Sequence, residues 1–314
     1  MNSQKISEST NGKHMSRLLT AIDSSFGGSS AMSEGAQFGF KAVVETKGVE
    51  LHSDAFDMEF DIPFDDDLIA NEAEIIIYNI TYGTANKFKI DAPLTITAGY
   101  GSDTGIIFNG FVSDVKTYRE GVDLVTVISA LDDIKYTPEM MKEKTYSKGT
   151  KASTILKDLL DLAGIPVEKF TIERDYTYDD ETKVDGNIVD NIKMYSEVCG
   201  VSTYIYKQRT YCRPIGQGDE QILYISSDTG MIESPEPFEE ESQSENYIDI
   251  VKGINVNMLL QHQVGVSLMA KVDSIDHKGV YRIQGGVHSY DGLSATTSIK
   301  CIGTVETKFA SQEK

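Results

Sequence analysis

Asn71-Glu72-Ala73-Glu74-Ile75-Ile76-Ile77-Tyr78-Asn79-Ile80 is the stretch whose reading decides the fold. Three consecutive isoleucines followed by a tyrosine place apolar, mostly β-branched side chains on both faces of an extended chain, which predicts a strand covered on two sides. Outward from it, the period stays at two across residues 38–133. Upstream, Phe56, Met58, Phe60 and Ile62 alternate with Asp57, Glu59 and Asp61. That spacing puts an apolar row on one face of a strand and three carboxylates on the other. Pro63 and Asp65-Asp66-Asp67 are expected to end it. Downstream, Leu94, Ile96, Ala98 and Tyr100 alternate against Thr95 and Thr97. Gly99, Gly101 and Gly105 then supply a turn into Ile106-Ile107-Phe108, and Glu120-Gly121 turns residues 112–118 back into residues 124–130. Short strands with turn signals at this spacing predict a sandwich or barrel.

The period changes after Ser147. Ala152, Ile155, Leu156, Leu159, Leu160 and Ala163 form a helical stripe, with Thr150 as the expected N-cap, Gly164 as the left-handed C-terminal residue and Pro166 beyond it. A second helix is expected from Ile188, with Ile188, Ile192, Tyr195 and Cys199 on one face and Gly200 at its end. Residues 175–187 between the helices read as a solvated acidic loop, since their order does not match the alternating oxygen ligands of a calcium loop. A tyrosine-rich hairpin follows, residues 201–207 and 210–215, turning at Gln208-Arg209. Ser234-Pro235-Glu236-Pro237-Phe238-Glu239-Glu240-Glu241 reads as an exposed connector. Period-two strands resume over residues 247–307, where Ile283-Gln284-Gly285-Gly286-Val287 echoes Phe108-Asn109-Gly110-Phe111-Val112. Each is followed within about ten residues by an acidic-Gly turn and a last strand, the pattern of an internal repeat.

Composition narrows the function. The 314 residues suffice for two or three domains, and 40% hydrophobic with 25% charged residues is ordinary for a folded chain. A formal charge of −20 repels phosphate backbones and anionic lipid, which argues against sequence-specific nucleic-acid binding. No stretch approaches the roughly 18 apolar residues of a membrane span, and a Sec-type leader is not expected. Residues 1–37, rich in Ser and Gly, read as a flexible arm in which Leu18, Leu19 and Ile22 form one helical turn against a partner. Cys199, Cys212 and Cys301 are expected as buried thiols.

Chemistry is hard to find in the pattern. The Gly99-Tyr100-Gly101 cluster opens no helix and so reads as a hairpin turn, not a phosphate loop. The histidines His14, His52, His262, His277 and His288 show no metal-ligand spacing, and no nucleophile elbow appears. His288 is expected to be a surface or cross-strand residue. Tyr204, Tyr206 and Tyr211 suit packing and cross-strand pairing better than stacking on sugar.

Residues 71–80, then Ala98-Gly99-Tyr100, Gly105-Ile106-Ile107-Phe108-Asn109-Gly110 and Arg119-Glu120-Gly121-Val122-Asp123 resemble the first domain of tail hub proteins. These are the baseplate hubs of contractile-tailed bacteriophages and of phage-tail-like bacteriocins. The helix over residues 151–164, the Gly186-Asn187-Ile188 helix start and Gly279-Val280-Tyr281-Arg282-Ile283 before Val287-His288 are similar as well, so the likeness runs over residues 38–307. It implies a mainly β, α+β fold, with two tube-type β-barrel domains (residues 38–146 and 219–314, the latter with an acidic loop near 234–246) and a small α+β domain (147–218) between them. In such families the barrel segments can interleave with the middle domain. The implied role is a homotrimeric, non-enzymatic ring joining a tail tube to a central spike among other baseplate proteins. It would need no cofactor and be assembled in the bacterial cytoplasm. Asp57, Glu59 and Asp61 would then face the lumen or solvent. A tail-associated peptidoglycan hydrolase and a glycan-binding β module are the other readings.

Overall fold

The computed structural model describes residues 39–132, 140–206, 209–244 and 247–309. The expected N-terminal arm, with Leu18, Leu19 and Ile22, and the tip of the 201–215 hairpin lie outside them.

The first β region runs β1 (Phe40–Thr46), β2 (Val49–His52), β3 (Met58–Phe64), β4 (Glu72–Tyr78), a single helical turn α1 (Tyr82–Ala85), β5 (Pro93–Tyr100), β6 (Asp103–Glu120) and β7 (Asp123–Leu131). The alternation works as expected: Met58, Phe60 and Ile62 are buried, as are Leu94, Ile96 and Ala98. Ala73, Ile75 and Ile77 of β4 are buried, but its other face, Glu74, Ile76 and Tyr78, is exposed to half-buried. The expected cover on two sides is therefore incomplete in the single chain. Gly101 takes φ +60° in the two-residue turn from β5 to β6, a backbone that Gly adopts without steric cost. At Gly110, by contrast, space decides: a Cβ would stand 2.1 Å from the Leu131 carbonyl oxygen. Pro63 does not end β3. Pairing with β4 stops at Asp61↔Glu74, so Pro63 has only one neighbouring strand and its missing N–H leaves no central ladder broken.

The middle region holds β8 (Met140–Tyr146), α2 (Ala152–Leu162), β9 (Val167–Phe170), β10 (Thr182–Asn187), α3 (Ile188–Cys199), β11 (Val201–Tyr206) and β12 (Arg209–Pro214). Both helices lie where the 3.6-residue stripes predict, and Gly164 and Gly200 are left-handed at φ +69° and +68°. Thr150 does not cap α2. Its hydroxyl donates to the Ser147 carbonyl, and Asp175 instead accepts from the Ser153 N–H at 3.0 Å, so the cap comes from a distant carboxylate. Residues 175–187 are likewise not all loop. Residues 182–187 form β10 against β8, whose antiparallel ladder supplies the partner that local composition does not reveal.

The last region comprises β13 (Ile222–Ser226), β14 (Glu236–Gln243), β15 (Tyr247–Leu259), β16 (Met269–Asp273), β17 (Lys278–Tyr290) and β18 (Ala295–Phe309). The expected connector at 234–241 is mostly strand β14. It is exposed, as predicted, but paired along its length with β15. An edge strand leaves one side unpaired, so it tolerates prolines and a run of carboxylates that would break a central strand. Lys252 and Lys300 meet Glu239 and Glu240 at 3.3 and 2.6 Å.

Among the described residues both β regions belong to one 13-stranded sheet. Its path is β14-β15-β18-β17-β3-β4-β7-β6-β5-β1-β2, with β16 on β17 and β13 on β16. The seam is β17 against β3, from Gly286↔Phe64 to Tyr290↔Phe60. Of the echoed segments, β6 is bulged between Val112 and Asp114 and β17 between Ile283 and Gly285, positions that do not correspond in the echo, although each strand pairs with the one after it. Three apolar cores form among the described residues. The first lies over β1–β7 but takes in Leu260 and Ala295; the second surrounds α2 and α3 with Leu68 and Tyr247; the third spans β13–β18 with Phe64 against it. Each core borrows side chains from another region. Fully burying each of Ile75, Ile77, Ile96 and Ile128 stabilises the fold by about 1.5–3 kcal/mol.

Candidate functional site

Where the three regions meet, polar groups replace apolar packing. Arg282 of β17 is wholly buried, and its Nη1 donates to Asp66 Oδ2 at 2.7 Å. Ser202 of β11 donates to the same oxygen at 2.7 Å, and Tyr204 donates to Ser267 Oγ at 2.6 Å. Arg282 Nη2 reaches Ser267 Oγ at 3.4 Å. One network thus joins the loop after β3, the middle region and the loop before β16. A buried charge left without its partner is costly, so the pair fixes the registry of three segments far apart in sequence.

A second clasp lies at the C-terminal end of α3. Arg174 forms a two-pronged pair with Asp249 of β15 at 2.8 and 2.7 Å, donates to the Glu197 and Val198 carbonyls at 2.6 and 3.0 Å, and stacks 4.2 Å from the Tyr247 ring. A guanidinium suits the carbonyl end of a helix, where the backbone dipole is negative.

Beside the first clasp opens a cleft of 770 Å³, between the loop after β3 and the 261–268 segment. Its walls mix apolar Ile106, Phe108 and Val264 with carboxylates Asp65, Asp67 and Asp132. Burial, then the neighbouring Asp67 and Asp66, push Asp65 up to about 6, and burial also raises Asp132. His262 bonds Asp103 at 2.9 Å on the cleft wall. His288 is a cross-strand residue as expected, but a buried one: its Nδ1 lies 2.8 Å from Thr297 Oγ1 and burial lowers its pKa to about 4.

The three carboxylates singled out in sequence are set apart from the cleft's acids. Asp57 and Asp61 are exposed; Glu59 is half-buried and accepts from Tyr78 Oη at 2.9 Å. Asp61 accepts from Ser289 of β17 at 2.6 Å, across the seam. Tyr204 is buried and stacks on Tyr211, its register partner, with ring centroids 5.6 Å apart, which removes it as a sugar platform. Cys199, Cys212 and Cys301 are free and buried; burial raises the first two to about 12 and about 11 and the third further still. Among the described residues no group of three His, Cys, Asp or Glu is placed to hold a metal ion, and no helix is long and apolar enough to cross a membrane.

Sequence reasoning missed both clasps. Asp66 was legible only as part of a strand-ending run, and Arg174 not at all. One signal was available: an arginine inside Val280-Tyr281-Arg282-Ile283, a segment otherwise apolar.

No family model matches the chain, and no curated protein does. Solved structures do. A tail protein from Neisseria meningitidis MC58 superposes with TM-score 0.55 at 11% identity, over 85% of this chain and 97% of that one. The 43 kDa tail protein of prophage MuSo2 from Shewanella oneidensis gives 0.52 at 10% identity, over 84% and 96%. The E. coli c3393 protein gives 0.53 at 11% identity, over 83% and 76%; it is a component of the type VI secretion system with structural similarity to the T4 bacteriophage tail proteins gp27 and gp5. At these identities the likeness is one of fold, and it extends nearly end to end in the two tail proteins. This chain therefore has the fold of phage tail and tail-like secretion proteins, as its resemblance to the tail hubs implied.

Proposed function

We propose that the chain is a structural baseplate hub, acting by geometry without catalysis. Three copies assemble into a ring in which each contributes two tube-type β-barrel units, residues 38–146 and 219–314, around the middle region. The ring joins a tail tube to a central spike in a contractile tail or phage-tail-like particle, after assembly in the bacterial cytoplasm. The observation that carries this reading is the single sheet running through both β regions, locked at its seam by the buried Asp66–Arg282 pair. Two β units held in fixed relation are what a chain needs to present a doubled set of contacts to a ring. The likeness in fold to tail proteins supports it.

Two features suit the role. Leu293 and Val122, 96% and 88% exposed, sit at the tips of the β17–β18 and β6–β7 hairpins, which the strand register places at the same end of the sheet. Exposed apolar tips at one end of such a sheet are contact points for a stacked neighbour. Asp57, Glu59 and Asp61 face the lumen or solvent, where negative charge would keep passing DNA from adhering.

The test is co-expression with the adjacent tail-tube and spike proteins, followed by native mass measurement. Three copies of this chain bound to both partners is the expected result. A chain that stays monomeric and binds neither at micromolar concentration overturns the proposal.

A further inference from the structure

The cleft at the seam has an apolar mouth. Ile69 and Ile106, each 62% exposed, stand at its rim, above walls that carry Asp65, Asp67 and Asp132. A surface that is apolar and negative in one place suits a basic, amphipathic segment.

Such a segment exists in the chain. Met15, Leu18, Leu19 and Ile22 recur at i, i+3, i+4 and i+7, and Lys13 and Arg17 lie among them. A single stripe of that length is marginal as a helix in water and needs an apolar partner. Residues 1–38 also balance three basic side chains, Lys5, Lys13 and Arg17, against three acidic ones, Glu8, Asp23 and Glu34. The whole excess of negative charge therefore lies on the remainder of the chain, and the basic end of the stripe is drawn towards it.

The described chain begins beside the cleft. Gly39 accepts from the Gly101 N–H at 3.1 Å in the turn between β5 and β6. Two residues further, Asp103 bonds His262 of the cleft wall, and Gly105 packs so tightly on the His262 ring that a Cβ there would stand 2.1 Å from Nδ1. Residues 22–39 span at most roughly 60 Å when extended, so reach does not limit the stripe.

From this placement we propose that the chain's own segment 13–23 docks in the seam cleft, its Met15, Leu18, Leu19 and Ile22 face against Ile69 and Ile106 and its Lys13 and Arg17 toward the cleft carboxylates. This inference does not depend on the ring: it concerns one chain and is read on the monomer.

Disulfide trapping in the full-length chain tests it. Leu19→Cys combined with Ile106→Cys is oxidised with oxidised glutathione at low protein concentration, with Leu19→Cys combined with Ile275→Cys as the control; Ile275 is 97% exposed, in the turn beyond the far end of β16. The native cysteines are buried and react slowly. Intrachain closure at least ten-fold faster for the cleft pair, slowed several-fold by Lys13→Glu with Arg17→Glu and by Leu18→Asp, is the expected result. Equal rates for the two pairs overturn the proposal. Disulfide-linked chain pairs do too, since a second copy's segment would then be the occupant. Closure indifferent to the charge and Leu18 variants also counts against it. Ile106→Cys changes an exposed side chain, so loss of folding there does not confuse the readout.

Discussion

Asp65 and His288 show how burial turns single titratable groups into opposed pH dependences. Asp65 is raised from 3.8 to about 6, so between those values the folded chain binds more protons than the unfolded one. Its contribution to stability is present below pH 3.8 and lost as pH rises through about 6. Asp65→Asn should therefore raise the melting temperature at pH 7.5, and the gain should shrink toward zero at pH 4, as measured by thermal unfolding. Asp65 is partly exposed, and solvent screening keeps the effect modest. His288 runs the other way. Its pKa is lowered from 6.5 to about 4, so its contribution is present above pH 6.5 and lost as pH falls toward 4. Its imidazole resonance should stay at the neutral position down to about pH 4 in an NMR titration. At the clasp, Asp66→Asn alone should cost about 3–5 kcal/mol in denaturant unfolding by leaving Arg282 buried and unpaired, and Asp66→Asn with Arg282→Met should recover much of that. A double variant no more stable than the single one would refute the pairing account.

Among the elements, α2 depends on a cap supplied from outside its own sequence. Asp175→Ala removes the acceptor for the Ser153 N–H and should lower stability by about 1 kcal/mol, whereas Thr150→Ala should cost much less, because its hydroxyl bonds Ser147 and not the helix. Paired chemical-denaturation curves check this. The elements also mark how far the linear pattern carries. The buried rows of β3 and β5 and the stripes of α2 and α3 were legible because each follows from side-chain spacing along one segment. Strands β10 and β14 were not: acidic and proline-containing stretches read as loops until a neighbouring strand supplies the ladder. Strand β9, parallel to β12, has no local signal at all.

For the whole molecule, the hub proposal separates surfaces that should matter for assembly from those that should not. Leu293→Asp with Val122→Asp should leave the melting temperature within a degree or two of wild type, since both side chains are exposed, but should abolish co-purification with a tail partner. Asp57→Lys with Asp61→Lys should leave the native mass of the assembly unchanged if that face lies on the lumen or in solvent. A shift to monomer would place it at a subunit contact instead.

What the sequence by itself determined is the kind of structure: strands alternating at period two, two helices with their ends, three buried thiols, a strongly negative charge, and an order of segments that resembles the tail hubs. These are properties of neighbours along the chain. Only the tertiary structure decided that β3 lies against β17, so that both β regions share one sheet. It alone showed that Asp66 serves as the partner of Arg282, and that Asp65, Asp67 and Asp132 line one cleft. The physical reason is range. Side-chain periodicity records which face a residue shows, whereas ion pairs and strand registers between residues some 200 positions apart depend on how the faces are brought together.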